Sequence, residues 1–149
     1  MNMKIIQVKD RTLILIEQLV ELWEKSVKET HLFLSEDEIE SIKMYVPQAL
    51  KDINTLVIIE NEINCPIAFM GVQDEKLEML FILPKERGKG LGKKLLQYGI
   101  ENYSIKELTV NEQNPLAKGF YEYMGFKVYK RTEYDEQGQP YPLLYMRLN

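Results

Sequence analysis

The chain has 149 residues, 45% of them hydrophobic and 28% charged, with a formal net charge of −4. That length fits one domain, residues 1–149, able to bury roughly 70% of its unfolded surface. The acidic balance argues against nucleic acid as a partner. No apolar run approaches the roughly 18 residues of a membrane span, and the opening "MNMKIIQVKDR" has no secretory apolar segment. A single cysteine, Cys65, excludes an intramolecular disulfide and fits a reducing cytoplasm, and no metal site is expected.

In chain order, "MKIIQV" (3–8) reads as a short strand. From Thr12, apolar residues Leu13, Ile16, Val20, Trp23 and Val27 recur at spacings of three and four, the pattern of an amphipathic helix. "SEDEIESIKMYVPQAL" opens a second helix with Ser35 as N-cap and Glu38 three residues on, a capping-box pattern. Ile39, Ile42, Val46 and Ala49 continue one face, and Pro47 should kink or end it. "TLVIIE" (55–60) and "PIAFMGV" (66–72) are strands around the turn "NEINC", and "KLEMLFIL" (76–83) is a third. A helix over about 90–103, a strand "KELTVN" (106–111) and a helix "NPLAKGFYEYMG" follow. The last has Asn114 to cap it, Pro115 in its first turn and Gly125 at its exit. Two strands, "FKVYKRTEY" and "YPLLYMRL", close the chain around "DEQGQP". The order β-α-α-β-β-β-α-β-α-β-β predicts an α/β fold: a mixed sheet with helices packed on it.

Between the third strand and its helix lies "PKERGKGLGKKLL" (84–96), with Gly88, Gly90 and Gly92 at alternate positions among Arg87, Lys89, Lys93 and Lys94. A glycine-rich turn feeding a helix aims backbone N–H groups into one space, where the helix dipole favours an anion such as a phosphate. A Cβ would hinder both close approach and the positive φ values of such a nest. The spacing matches neither a Walker A loop nor a dinucleotide fingerprint: Lys94, not a hydroxyl residue, follows Lys93, and the third glycine of the fingerprint would fall on Lys93. The plain alternative is a flexible turn with solvated lysines.

The segment "LFILPKERGKGLGKKLL" resembles the first cofactor motif of the GCN5-related N-acetyltransferase (GNAT) superfamily, Arg/Gln-x-x-Gly-x-Gly/Ala, with Arg87, Gly90 and Gly92 in register. Some thirty residues on, "VNEQNPLAKGFYEYMGF" resembles the second, Asn-x-x-Ala-x-x-Phe-Tyr-x-x-x-Gly-Phe, at Asn114, Ala117, Phe120, Tyr121, Gly125 and Phe126. The element order is also that of the superfamily, and "SVKETHLFLS" (26–35) with "GQPYPLLYM" resembles one bacterial subgroup of it. The resemblance implies an acetyl-CoA-dependent N-acetyltransferase acting on a primary amine of a small molecule or peptide, as a monomer or homodimer. A CoA-binding regulatory module without turnover is the alternative.

The same resemblance assigns residues. The N–H groups of Arg87, Gly88, Lys89, Gly90, Leu91, Gly92 and Lys93 would cradle the pyrophosphate, with charge from Arg87 and Lys89. In the superfamily the fourth strand splays from the fifth and pairs with the pantetheine arm. That places Leu80, Phe81, Ile82 and Leu83 along the arm, with Ile82 as main-chain partner and oxyanion donor. Asn114 would bond the arm from the other side, in a helix that also brings Ala117 and Phe120. Tyr121 resembles the general acid, a phenol of reference pKa about 10 facing a thiolate of about 8.5. It also fits a core aromatic, since Ala117, Phe120, Tyr121 and Met124 recur at helical spacing. Glu78 shares strand parity with Leu80 and Ile82 and is read either as the base or as a surface carboxylate. His31, the one histidine, is read either as an acceptor-pocket residue or as a packing residue.

Overall fold

The computed structural model describes residues 3–149; Met1 and Asn2, part of the expected domain, lie outside the described residues. Seven strands form one sheet: β1 (Lys4–Gln7), β2 (Thr55–Glu60), β3 (Pro66–Gln73), β4 (Lys76–Ile82), β5 (Glu107–Asn111), β6 (Phe126–Thr132) and β7 (Leu143–Leu148). Their spatial order is β1-β2-β3-β4-β5-β7-β6. All pairings are antiparallel except β4 with β5. Helices α1 (Leu13–Thr30), α2 (Glu36–Lys43) and α3 (Val46–Asp52) cover one face; α4 (Leu91–Tyr103) and α5 (Pro115–Tyr123) cover the other.

Two cores result, one on each side of the central strands. Along β2, Val57 and Ile59 face α4 while Leu56 and Ile58 face α1 and its neighbours, the two-residue alternation of a strand. Because both faces are covered, β2 and β3 read as nearly continuous apolar runs.

The helices start where their caps dictate. Thr12 accepts the N–H of Leu15 at the head of α1, and Ser35 and Glu38 form the full capping box of α2. The expected single helix over 35–50 is two. The chain breaks at Met44–Tyr45, and Pro47 sits in the first turn of α3, where its missing N–H costs nothing. The break resets the helical phase, so Val46 and Leu50 are buried while Ile42 stays 41% exposed and Ala49 is exposed. On α1 the buried stripe runs through Ile16, Leu19, Leu22, Trp23 and Val27; Leu13, expected on it, projects outward.

Two irregularities shape the middle of the sheet. The β3–β4 register shifts at Gly71/Val72, opposite Leu77–Met79, so Leu77, Leu80 and Ile82 all contact the α4-side core while Met79 and Phe81 turn to the α1 side. A bulge re-aims a strand in this way. Beyond it β4 and β5 part: they pair only at Lys76↔Glu107 and Leu77↔Leu108. β4 continues on β3 to Ile82 and β5 continues on β7 to Asn111, which leaves a wedge between them.

Candidate active site

A cleft of about 740 Å³ opens in that wedge. β4 supplies one wall through Glu78, Leu80, Phe81 and Ile82, β5 the other through Thr109, Val110 and Asn111. The glycine corner closes one end. The end of α1 and the start of α5 line the rest.

The exposed edge of β4 follows from its hydrogen bonds. Leu83 donates its N–H to the Ile67 carbonyl at 2.9 Å, so in this antiparallel pair the N–H groups of Leu80 and Ile82 point away from β3, into the wedge. Among the described residues no strand pairs with them. Leu83 itself is spent on β3 and lies outside the cleft lining, unlike its neighbours Leu80, Phe81 and Ile82.

The corner is built from left-handed backbone. Gly88 and Gly90 have φ of 79° and 77°, and a Cβ at either would meet nothing within 4 Å, so conformation rather than crowding demands glycine there. Gly90 caps α4 without a side chain, and the first intrahelical donor to it is Lys94, leaving the N–H groups of Leu91, Gly92 and Lys93 free of helical partners. Gly92 is glycine for a different reason. A Cβ there would stand 3.0 Å from Ile82 Cδ1 and 3.5 Å from Phe120 Cζ, so its absence lets β4, α4 and α5 meet. Arg87 and Lys93 reach the cleft; Lys89 instead binds Glu86 at 2.7 Å and is not part of the lining.

α5 brings Ala117, Phe120 and Tyr121 to the cleft, with Asn114 at its N-cap. Asn114 uses its Oδ1 to accept the Ala117 N–H at 3.3 Å, so its amide NH₂ is what it can offer a ligand. Tyr121 packs beside Phe120 (5.3 Å between ring centres) and edge-on to Phe126 (6.3 Å), and burial pushes its phenol well above its ordinary range. The core packing and the cleft position are therefore both features of this one side chain.

Glu78 and His31 line the same cleft. Loss of hydration raises the Glu78 carboxyl above the usual carboxylate range; Lys76, 3.8 Å away, opposes the rise, and Glu136 and Asp74 add to it. The His31 ring sits 5.5 Å from Phe33, which packs on Tyr141, whose hydroxyl donates to Glu38. This chain of aromatics ties the α1–α2 connection to the β6–β7 loop.

Sequence reasoning did not single out Ser26, Glu29, Thr30 or Thr109, which also line the cleft. Thr109 Oγ1 is the one buried side-chain polar atom without a partner among the described residues. An orphaned donor, a free strand edge and a row of free helix N–H groups suit an extended ligand of amides ending in phosphates, as CoA is. Among the described residues no cluster of His, Cys, Asp and Glu gathers to hold a metal, and no helix is long and apolar enough to cross a membrane.

The fold and this cleft define an acyl-transferring α/β domain of the GNAT kind, and comparison agrees: the family model "Acetyltransferase (GNAT) domain" matches residues 23–147, so the chain belongs to that family. Among curated relatives, the peptidyl-lysine N-acetyltransferase YjaB of Salmonella typhimurium is 39% identical over 128 residues, 86% of this chain and 88% of the relative. The YjaB of Escherichia coli is 39% identical over 132 residues, 86% of each. The solution structure of apo YjaB from Escherichia coli superposes with a TM-score of 0.87 at 35% identity, covering 99% of this chain and 97% of that one. The PaiA N-acetyltransferase of Thermoplasma acidophilum, solved with coenzyme A, shares the fold at a TM-score of 0.68 and 22% identity, covering 99% of both chains. The chain is an N-acetyltransferase of a YjaB-like kind.

Proposed function

We propose that this enzyme moves the acetyl group of acetyl-CoA onto the side-chain amine of a lysine in a peptide or protein. The observation that carries the reading is the wedge itself, with unpaired β4 N–H groups running from the basic glycine corner to Tyr121. The corner and Arg87 hold the pyrophosphate, the exposed β4 edge pairs with the pantetheine amides, and the Asn114 amide meets the arm from the start of α5. The peptide acceptor is favoured over a free small amine by the YjaB relatives, which are peptidyl-lysine N-acetyltransferases.

In the reaction the amine nitrogen attacks the thioester carbonyl carbon, the C–S bond breaks and a C–N bond forms. Glu78 takes the proton that the ammonium must shed, the Ile82 N–H stabilises the developing oxyanion, and the Tyr121 phenol delivers a proton to the departing sulfur, the second proton shed by the nitrogen as the amide forms restoring the phenol. Burial that raises the phenol keeps its proton in place. The same apolar surroundings disfavour a bare thiolate, so donor and leaving group are raised together.

The test is thiol release from acetyl-CoA with a lysine peptide, the same peptide blocked at Nε, and free small amines. Release confined to the unblocked peptide supports the reading. Release with small amines alone moves the acceptor to that class. CoA binding with no release from any amine leaves a regulatory module.

A further inference from the structure

His31 is placed by a chain of hydrogen bonds that decides which of its nitrogens can titrate. The Thr30 hydroxyl lies 2.8 Å from the Ser26 carbonyl and 2.8 Å from His31 Nδ1. A hydroxyl has one proton, and the Ser26 carbonyl can only accept it; the hydroxyl must therefore receive from the imidazole, and Nδ1 is the protonated nitrogen. Nε2 is left with a lone pair. Among the described residues no group hydrogen-bonds it, and the ring that carries it lines the cleft.

The same cleft extends to the glycine corner. Burial lowers the tendency of the ring to take a charge, and the guanidinium of Arg87, which follows the short 3-10 turn Pro84–Glu86 packed on α1, opposes that charge as well. The other charged groups that line the same cleft are Glu29 on α1, Glu78 on β4, Glu86 on the turn and Lys93 on α4, and Glu38 on α2 lies behind Phe33 through its bond from Tyr141. Glu38 is engaged by Tyr141 and Glu86 by Lys89. Burial and the Arg87 guanidinium thus both disfavour a charge on the ring.

We propose that His31 is a phosphate ligand of the cofactor: with CoA bound, its Nε2 carries a proton and donates to a pyrophosphate oxygen alongside Arg87, so that binding takes up a proton from solvent. This rests on the CoA reading above. Two negative charges placed beside Arg87 cancel the repulsion and add attraction, which turns a disfavoured imidazolium into a favoured one. Because Thr30 holds Nδ1 as a donor in both states, protonation changes only the atom that faces the ligand. Cofactor affinity then falls as pH rises through the titration of the bound form and is greatest below that of the free form.

The probe is dephospho-CoA, which keeps the pyrophosphate but lacks the 3′-phosphate that itself titrates near neutrality. His31 is the chain's only histidine, so the tag-free protein gives a single imidazole Cε1–H resonance to follow by NMR. We expect its midpoint to lie below the ordinary 6.5 in the free protein and to rise by at least about one unit with saturating dephospho-CoA, with a parallel tenfold loss of affinity at high pH. Acetyl-pantetheine, which has no pyrophosphate, should leave the midpoint in place. In calorimetry across buffers of different ionisation enthalpy, His31→Gln should abolish the proton uptake and flatten the pH dependence. A midpoint that stays or falls on dephospho-CoA binding, or moves equally with acetyl-pantetheine, overturns the proposal. No binding of dephospho-CoA at any pH overturns the CoA reading as well.

Discussion

Two side chains carry the chemistry proposed here, and each can be removed almost without changing shape. Tyr121→Phe deletes one oxygen and keeps the ring that packs on Phe120 and Phe126. If the phenol protonates the departing sulfur, kcat falls by roughly 10²-fold with CoA affinity unchanged. A side chain serving only the core would leave turnover near parental. Glu78→Gln keeps the size and removes the proton acceptor. A carboxyl raised by desolvation must be ionised to act, so the parent should lose activity on the acid side with a midpoint above 4.5. The variant should lack that limb and be slowest at neutral pH, its deficit narrowing as the amine deprotonates on its own. Superimposable pH–rate profiles for the two proteins would return Glu78 to the role of a surface carboxylate.

Among the elements, the glycine corner and the end of α3 give independent tests. Gly90→Val forces a β-branched residue into φ of 77° and sets a Cβ where the proposed pyrophosphate would approach. It should cost about 1–2 kcal/mol of stability from the left-handed backbone and about 1.4 kcal/mol or more, tenfold, of CoA affinity. Gly138→Val separates the two effects. That residue has φ of 78°, no atom within 4 Å of an added Cβ and a place in the β6–β7 loop outside the cleft lining, so stability should fall while CoA affinity holds. Equal affinity losses in both variants, measured by calorimetry, would assign the effect to strain. The end of α3 depends on Arg11, whose guanidinium donates to the carbonyls of Leu50 (3.0 Å), Lys51 (2.9 Å) and Asn54 (3.2 Å). Arg11→Ala leaves those helix-end acceptors to water and should cost about 1–2 kcal/mol, a drop of several degrees in Tm with kcat untouched. These local features differ in how far the sequence displays them. The corner and the capped start of α5 are legible because each motif lies within one short stretch. The break at Met44–Tyr45 is only half legible: Pro47 announces a disruption, but whether it ends one helix or starts the next depends on where Val46 and Leu50 find the core.

For the molecule as a whole, the wedge is a property of the sheet rather than of any segment. Its β4 wall is released by a bulge opposite Gly71/Val72, its β5 wall is held by β7, and its far end is the close of α1, some fifty residues before β4. Ser26, Thr30 and Thr109 enter the cleft only through that assembly, which is why spacing along the chain does not mark them. Leu80 and Ile82, by contrast, follow from strand parity once the bulge is known. Charge is also distributed at this scale: a chain of net charge −4 gathers Lys85, Arg87, Lys89, Lys93 and Lys94 at one corner, suiting an anionic ligand there without making the surface generally basic. The most direct test of the account is to incubate the protein with isotopically labelled acetyl-CoA and a lysine peptide and to locate the label by mass spectrometry. The account predicts labelled acetyl on the lysine Nε with one free CoA thiol formed per acetyl transferred. Labelled acetate with an unmodified peptide, or acetyl-CoA recovered intact at enzyme concentrations that bind it, would contradict it.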